Sequence, residues 1–453
     1  MYFKQFKLEG MGCASYLIGS TKSGEAAVID PAWEIEQYLE EAAAQNLKIT
    51  QIYETHLHAD HVSGNRRLAA ITGARIYLHK IADAAFPYVA VEGGTEIKLG
   101  ELNLKVLHTP GHTWESINLL VEDTSTPNFP PHLLSGDTLF VGDVGRPDFA
   151  GQEGAGTLFD SIQREILPLP DNTEVYPAHL AGSLCGRSLS TATVSSIGYE
   201  KKTNPALQIF DRNRFVDFLT ADLPPAPPDF KRIVGLNRAG SPEVQTRLTE
   251  LKWEEVQAKI QTGAKLLDIR EPEQYWKEHL PGSQSVPLGL SQFGATAAMF
   301  VLPENPIIMV AADLAAIQAA QNGLGVVGRY NVAGYVLFDK VAEQAQSGLH
   351  KRLLGEELAS KLTDDTPIIL DVREPGEFAV DGLFGALNIP LRKLPVQLSQ
   401  IEQTRDKLVV VLCASGYRSS VATSYLENQG WKMARNLKGG MDAMNALKVK
   451  QPV

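Results

Sequence analysis

Short apolar runs alternate with amphipathic stretches through the first 180 residues. The runs AAVID (26–30), ITQIYETH (49–56), LKVLHTPGH (104–112), HLLSGDTLF (132–140) and TEVYPAH (173–179) predict strands, and Glu34 to Ala44 predict a helix. Several of these runs end directly in His or Asp. Strand ends are where α/β folds expose polar groups and build their sites, so the pattern already points to chemistry in this half.

The pattern breaks at LPPAPPDF, Leu223 to Phe230, where Pro224, Pro225, Pro227 and Pro228 would interrupt any helix or strand. A first boundary is expected near residue 240. Beyond it lies an internal repeat. Leu266 to Leu288 aligns without a gap on Ile369 to Leu391: Asp268, Arg270, Glu271, Pro272, Gly282 and Pro287 recur as Asp371, Arg373, Glu374, Pro375, Gly385 and Pro390. The expected division is therefore 1–240, 246–350 and 351–453, with two copies of one small α/β unit in the second half.

Composition narrows the picture only in part. A chain of 453 residues is too long for one core. A formal net charge of −11 with no basic block argues against nucleic acid or an anionic membrane as partner. No window is apolar enough to span a membrane, and MYFKQFKLEGMGC has no apolar core of a secretory signal. Cys13, Cys185 and Cys413 are too few for a disulfide framework, so a cytoplasmic location is expected. Eight of the ten histidines precede residue 180, which assigns any metal chemistry to the first half.

There, ETHLHADHVSGN places His56, His58, Asp60 and His61 just after a predicted strand. A loop can aim alternate side chains into one cavity, and imidazole with carboxylate suits zinc, iron or manganese. His112 in TPGHTWES, Asp137 in LLSGDTLF and His179 in VYPAHLAG follow further apolar runs and supply partners. Cys185, six residues after His179, reads equally as a small core residue or as a thiol near the pocket; Cys13 reads as packing. Arg146 and Arg187 are candidates to meet an anionic substrate.

These motifs resemble the metallo-β-lactamase superfamily, which implies an αββα sandwich with a hydrolase-like fold over about residues 1–235. Within it, SGDTLFVGDVGRPD resembles the persulfide dioxygenases, close relatives of glyoxalase II. That resemblance implies one Fe(II) per chain on His56, His112 and Asp137, with His58, Asp60, His61 and His179 either surrounding it or holding a second metal. Ligand counting leaves both possibilities open.

The second candidate is VVVLCASGYRSS, a buried strand ending at Cys413, a loop, and a helix from about Ser419. Loop amides converging on the centre, a helix N-terminus and Arg418 make the sulfur a nucleophile. The Cys-x₄-Arg loop with DVREPGEF upstream resembles the rhodanese sulfurtransferases. It implies a persulfide on Cys413, loop amides from Ala414, Ser415, Gly416, Tyr417 and Arg418, and Arg373 as a supporting charge. The first copy has Val310 to Ala312 where the cysteine belongs and cannot carry sulfur this way.

The whole order resembles bacterial persulfide dioxygenase–sulfurtransferase fusions. The implied function is oxidation of a low-molecular-weight thiol persulfide by dioxygen to sulfite, which sulfane sulfur on Cys413 then converts to thiosulfate. The alternatives are a dinuclear zinc, glyoxalase II-like thioester hydrolase with appended rhodanese domains, and a sulfur-carrier scaffold in which only Cys413 matters. The cysteine-less copy is expected to space, dock or dimerise, and a homo-oligomer is expected.

Overall fold

The computed structural model describes residues 1–453 except 9–10, 127, 148–150, 181–189, 222–228, 241–247, 346–366 and 447–453. The proline-rich stretch falls largely among those exceptions. Two compact units emerge, Met1–Glu243 and Val244–Val453.

The first unit stacks two six-stranded sheets. One runs in chain order from Tyr2–Leu8 to Val89–Val91, the other in chain order from Glu96–Leu99 to Ser195–Ser196. The strand Cys13–Ser20 shows why its sequence is apolar without alternation: it is buried at every position. Tyr16 and Ile18 point to the space between the sheets, against Leu104, Val106 and Leu119. Leu17 points the opposite way, onto Tyr38 of the helix Glu36–Ala44 and Leu68 of the helix Asn65–Thr72. The second sheet repeats the arrangement, with Leu133 and Val175 turned to Leu158, Phe215 and Leu219 on its own helices. Helices cover both outer faces, so strands covered on both sides read as continuous apolar runs. The layers are those of the expected αββα sandwich.

The second unit holds two parallel four-stranded sheets of one topology. Their orders are Gln284–Ser285, Lys265–Asp268, Ile307–Ala311, Val332–Leu337, and Leu387–Asn388, Ile368–Asp371, Val409–Leu412, Ala434–Asn436. Each sheet keeps apolar residues of its own on one face. On the other, Leu267, Met309 and Leu324 join Leu370, Val411, Val421 and Trp431 in one continuous core. Polar contacts pin the same seam. Trp276 Nε1 donates to Ser420 Oγ at 2.8 Å, and Gln284 Nε2 donates to Ser424 Oγ at 2.7 Å and to the Val421 carbonyl at 3.0 Å. Among the described residues, no helix is long and apolar enough to cross a membrane.

Candidate metal centre and cysteine loop

The strand Lys48–Tyr53 ends in the centre of the first sheet and releases its chain into the histidine loop. The neighbouring strand Glu25–Ile29 ends at Asp30, whose φ of +52° turns its carboxylate under that loop. Asp30 accepts from Thr55 N at 2.7 Å and Thr55 Oγ1 at 2.8 Å. With its proton on Asp30, the Thr55 hydroxyl accepts from His56 Nδ1 at 3.0 Å. His112 Nδ1 donates to the Arg146 carbonyl at 2.6 Å. Both rings therefore carry their proton on Nδ1 and turn Nε2 inward, the arrangement that orients imidazole ligands.

Asp137 Oδ2 faces them, 3.9 Å from His56 Nε2 and 3.5 Å from His112 Nε2. Its other oxygen, Oδ1, accepts from His179 Nδ1 at 2.5 Å, whereas Oδ2 is buried with no hydrogen-bond partner among the described residues. A buried carboxylate oxygen without a donor is costly. Three ligand atoms within 4.8 Å of one another supply the reason it exists: His56, His112 and Asp137 fit a metal ion. Protonation states agree. Burial, and then the neighbouring His58, hold His56 neutral. Burial alone would raise the Asp137 carboxyl, but His179, His56 and His112 keep it well below the ordinary carboxylate range.

The other histidines form two further groups. His58 lies with Nε2 3.2 Å from Asp30 and 3.3 Å from Glu54, all three buried. Burial opposes its charge, but the two carboxylates prevail and raise its pKa well above the usual value. Asp60 accepts from His179 Nε2 at 2.8 Å, sits 3.0 Å from His61 Nδ1 and accepts from Cys13 Sγ at 3.0 Å. Cys13, Asp60 and His61 could also hold an ion, so Cys13 belongs to the site rather than to packing alone.

In the second unit, Cys413 follows the strand Val409–Leu412 and is almost fully buried. The helix Tyr417–Asn428 starts two residues earlier than expected, because Gly416 at φ +101° reverses the chain directly in front of it. The Gly416 amide reaches Cys413 Sγ at 3.2 Å, and Ser419 Oγ lies 3.4 Å away while donating to Asn436 Oδ1 at 2.6 Å. The carbonyls of Cys413 and Ala414 accept from Met441 N and Asp442 N at 2.8 and 3.0 Å. Arg418 makes two 2.7 Å bonds to Glu377, which raises the guanidinium pKa and lowers Glu377 to about 2. In the cysteine-less copy, the corresponding strand Ile307–Ala311 runs into Asp313, which caps the helix Leu314–Val326 through Ala316 N at 2.8 Å. A helix cap stands where the anion loop would be.

Comparison with known proteins finds a family for each unit. Residues 8–179 match the metallo-beta-lactamase superfamily model and residues 354–447 the rhodanese-like domain model. A metallo-beta-lactamase structure from Staphylococcus aureus subsp. aureus COL is 34% identical, with a TM-score of 0.65, covering 74% of this chain and 98% of that one. Persulfide dioxygenase of Bos taurus is 31% identical over 43% of this chain and 71% of its own length. Hydroxyacylglutathione hydrolase of a Polaromonas strain is 38% identical over 36% of this chain, which spans 61% of that relative.

The chain belongs to the metallo-β-lactamase superfamily. Its metallo-β-lactamase unit carries the three histidine groups, and the second unit adds a rhodanese-like domain. Not every expected residue meets its site. Cys185 and Arg187 lie outside the described residues. Arg146 is buried, and it is its backbone carbonyl that touches the centre, through His112. Arg373 bonds Asp371 and Asp381 through its side chain, and its charge also favours the ionised form of Glu377, the partner of Arg418. Arg270 makes the same pairing with Asp268 in the copy without cysteine.

Sequence reasoning also missed residues that shape the metallo-β-lactamase site. Asn237, on the helix Phe230–Ala239, donates to the carbonyls of His58 and His61 at 2.8 and 2.9 Å and accepts from Ser63 N at 2.9 Å. Glu115 accepts from Leu57 N at 3.1 Å. Gly145 packs so closely that a Cβ there would lie 1.8 Å from the Asp137 carbonyl oxygen.

Proposed function

We propose that this protein is a non-haem Fe(II) persulfide dioxygenase coupled to a sulfurtransferase. The observation that carries the reading is the buried, donorless Asp137 Oδ2 facing His56 and His112. Two histidines and one carboxylate, with sites left open, suit ferrous iron. Asp30, Glu54 and His58, and Cys13, Asp60 and His61, form two further groups with ligand atoms close together, so the count of one iron per chain rests on the likeness to the persulfide dioxygenases.

His56, His112 and Asp137 would hold the iron, which would supply activation of dioxygen toward a persulfide. The Thr55 hydroxyl and the Arg146 carbonyl fix the two imidazoles, so their lone pairs need no reorganisation. The His179 bond steadies the carboxylate. Net chemistry takes thiol persulfide, dioxygen and water to thiol and sulfite. In the second unit, Cys413 attacks the outer sulfur of another persulfide; that sulfur–sulfur bond breaks and the thiol leaves. Sulfite then takes the outer sulfur from Cys413 as thiosulfate and returns the cysteine. The Gly416 amide lies against that sulfur to hold its charge.

Anaerobically purified protein is expected to contain about one iron per chain and to consume oxygen on adding a thiol persulfide. Two zincs per chain with thioester hydrolysis and no oxygen uptake would overturn the reading in favour of a glyoxalase II-like enzyme. Cys413→Ser should continue to consume oxygen while sulfite accumulates in place of thiosulfate; loss of oxygen uptake in that variant would refute separate sites.

A further inference from the structure

The strands Ile368–Asp371 and Val409–Leu412 pair in parallel, Asp371 beside Leu412, so both chains leave the sheet at the same end. One enters the cysteine loop. The other enters the helix Pro375–Asp381, whose third residue is Glu377. Arg418, five positions after Cys413, meets Glu377 through both terminal nitrogens, Nη1 to Oε2 and Nη2 to Oε1, each at 2.7 Å. A guanidinium uses this fork for any pair of charged oxygens on one centre. Among the described residues, the guanidinium makes no other hydrogen bond. Both side chains are about one-third exposed, so an anion from solvent can reach the fork. The Glu377 bonds chiefly raise the guanidinium pKa, against burial, and the charge of Cys413 comes next, so the fork lies in the field of the reactive sulfur.

The carboxylate also has a local duty. Glu377 Oε2 accepts from the Glu374 amide at 3.0 Å and closes the capping box of its helix. The internal repeat separates the two duties. In the cysteine-less copy the counterpart of Glu377 is Gln274, which accepts from the Glu271 amide at 3.2 Å and makes the same cap without a charge. The counterpart of Arg418 there is Ala315. Capping therefore needs only an amide oxygen. The carboxylate stands in the copy that has the arginine and the cysteine, so its charge serves the sulfur site.

We propose that Arg418 is the docking group for the acceptor oxyanion and that Glu377 is its built-in competitor, holding the fork between turnovers and yielding it to two oxygens of sulfite. Sulfite offers charged oxygens on one centre as a carboxylate does, so it replaces Glu377 bond for bond. The displaced Glu377 keeps the Glu374 amide. The lone pair on the sulfite sulfur attacks the outer sulfur of the Cys413 persulfide. The new sulfur–sulfur bond forms, the old one breaks, and its electron pair returns to Cys413 as thiolate. An acceptor without oxygens gains nothing from Arg418, so the pair selects for oxyanions.

The inference rests on the sulfur-transfer role proposed for Cys413, and the test separates the two. With the full chain held anaerobic and cysteine persulfide as donor, thiosulfate formation from sulfite is compared with thiocyanate formation from cyanide, which has no oxygen to offer the fork. Rates are taken above those of Cys413→Ser. In a double-displacement reaction, kcat/KM for the acceptor reports sulfur release alone, so donor binding drops out. The ratio of the two values, sulfite over cyanide, should rise about three- to fivefold in Glu377→Gln, the range of a partly exposed ion pair. It should fall below that of the unsubstituted protein in Arg418→Lys, which keeps the charge and loses the fork. Gln274 shows that glutamine is accommodated at this place in the fold. A ratio that Glu377→Gln leaves unchanged or lowers, a ratio that Arg418→Lys leaves unchanged or raises, or thiocyanate without thiosulfate, overturns the acceptor site alone. Neither product from the unsubstituted protein overturns sulfur transfer by Cys413 and the acceptor site with it.

Discussion

At the scale of single residues, the metal triad and its surroundings differ in how they satisfy their own polarity. Asp137 Oδ2 is a buried carboxylate oxygen left without a donor, whereas His58 Nε2 lies within ion-pair distance of Asp30 and Glu54. The two positions should respond differently to substitution. Asp137→Asn should lose bound iron and persulfide-dependent oxygen uptake together, measured by metal analysis and an oxygen electrode. His58→Ala leaves two buried carboxylates without their cation, so denaturant unfolding should report a loss of roughly 3–5 kcal/mol. Iron content per folded chain should nevertheless stay near one, because the triad does not include His58. The set of candidate ligands was legible in the sequence because a dense His/Asp motif and strand-end positions announce them; the choice of His56, His112 and Asp137 among them was what the resemblance to the persulfide dioxygenases implied. Asn237 was not, since nothing marks one asparagine on an ordinary helix as the clamp for a loop some 175 positions away. Asp30 stood between these cases: its strand visibly ends in a carboxylate, but its target was hidden.

Among the elements, the placement of Cys413 depends on backbone packing between the strand Val409–Leu412 and the helices Tyr417–Asn428 and Gly440–Ala446. Gly440 has φ +52°, and a Cβ on it would lie 2.2 Å from the Cys413 carbonyl oxygen and 2.5 Å from that of Ala414. Gly440→Ala should therefore displace the loop and reduce thiosulfate formation by on the order of tenfold or more, consistent with backbone strain of about 1–3 kcal/mol. Oxygen uptake, which the proposed function assigns to the other unit, should persist. The Arg418–Glu377 pair carries a pH dependence of definite sign. Glu377 is lowered from 4.5 to about 2, so its contribution to stability is present above pH 4.5 and is lost as pH falls through about 2. The stability difference between the unsubstituted protein and Glu377→Gln should grow between those two pH values and stay level above them, measured by denaturant titrations. The strand and its cysteine were readable from composition. The start of the following helix was displaced by two residues because Gly416 caps it in a left-handed conformation, which a glycine permits but does not advertise.

On the scale of the whole molecule, each unit follows a different logic. The first is a sandwich whose ligands come from the ends of several strands, so its repeated apolar runs identified the layers before any contact was known. The second is an internal duplication, and the gapless alignment disclosed its common topology. What the alignment concealed was the seam: periodicity reports that a face is buried, not which partner buries it. The cysteine-less copy was expected to space, dock or dimerise, and its apolar face is shared with the live copy.

That shared core has a consequence for how the protein can change. Amides in the strands Ile307–Ala311 and Val409–Leu412 should exchange with deuterium through a common opening, as one cooperative unit rather than two. Excising the cysteine-less copy would strip Leu370, Val411, Val421 and Trp431 of their neighbours, leaving the reactive half aggregation-prone. A duplicate without a nucleophile of its own is in this way tied to its neighbour: its removal would undo the core on which the Cys413 loop rests.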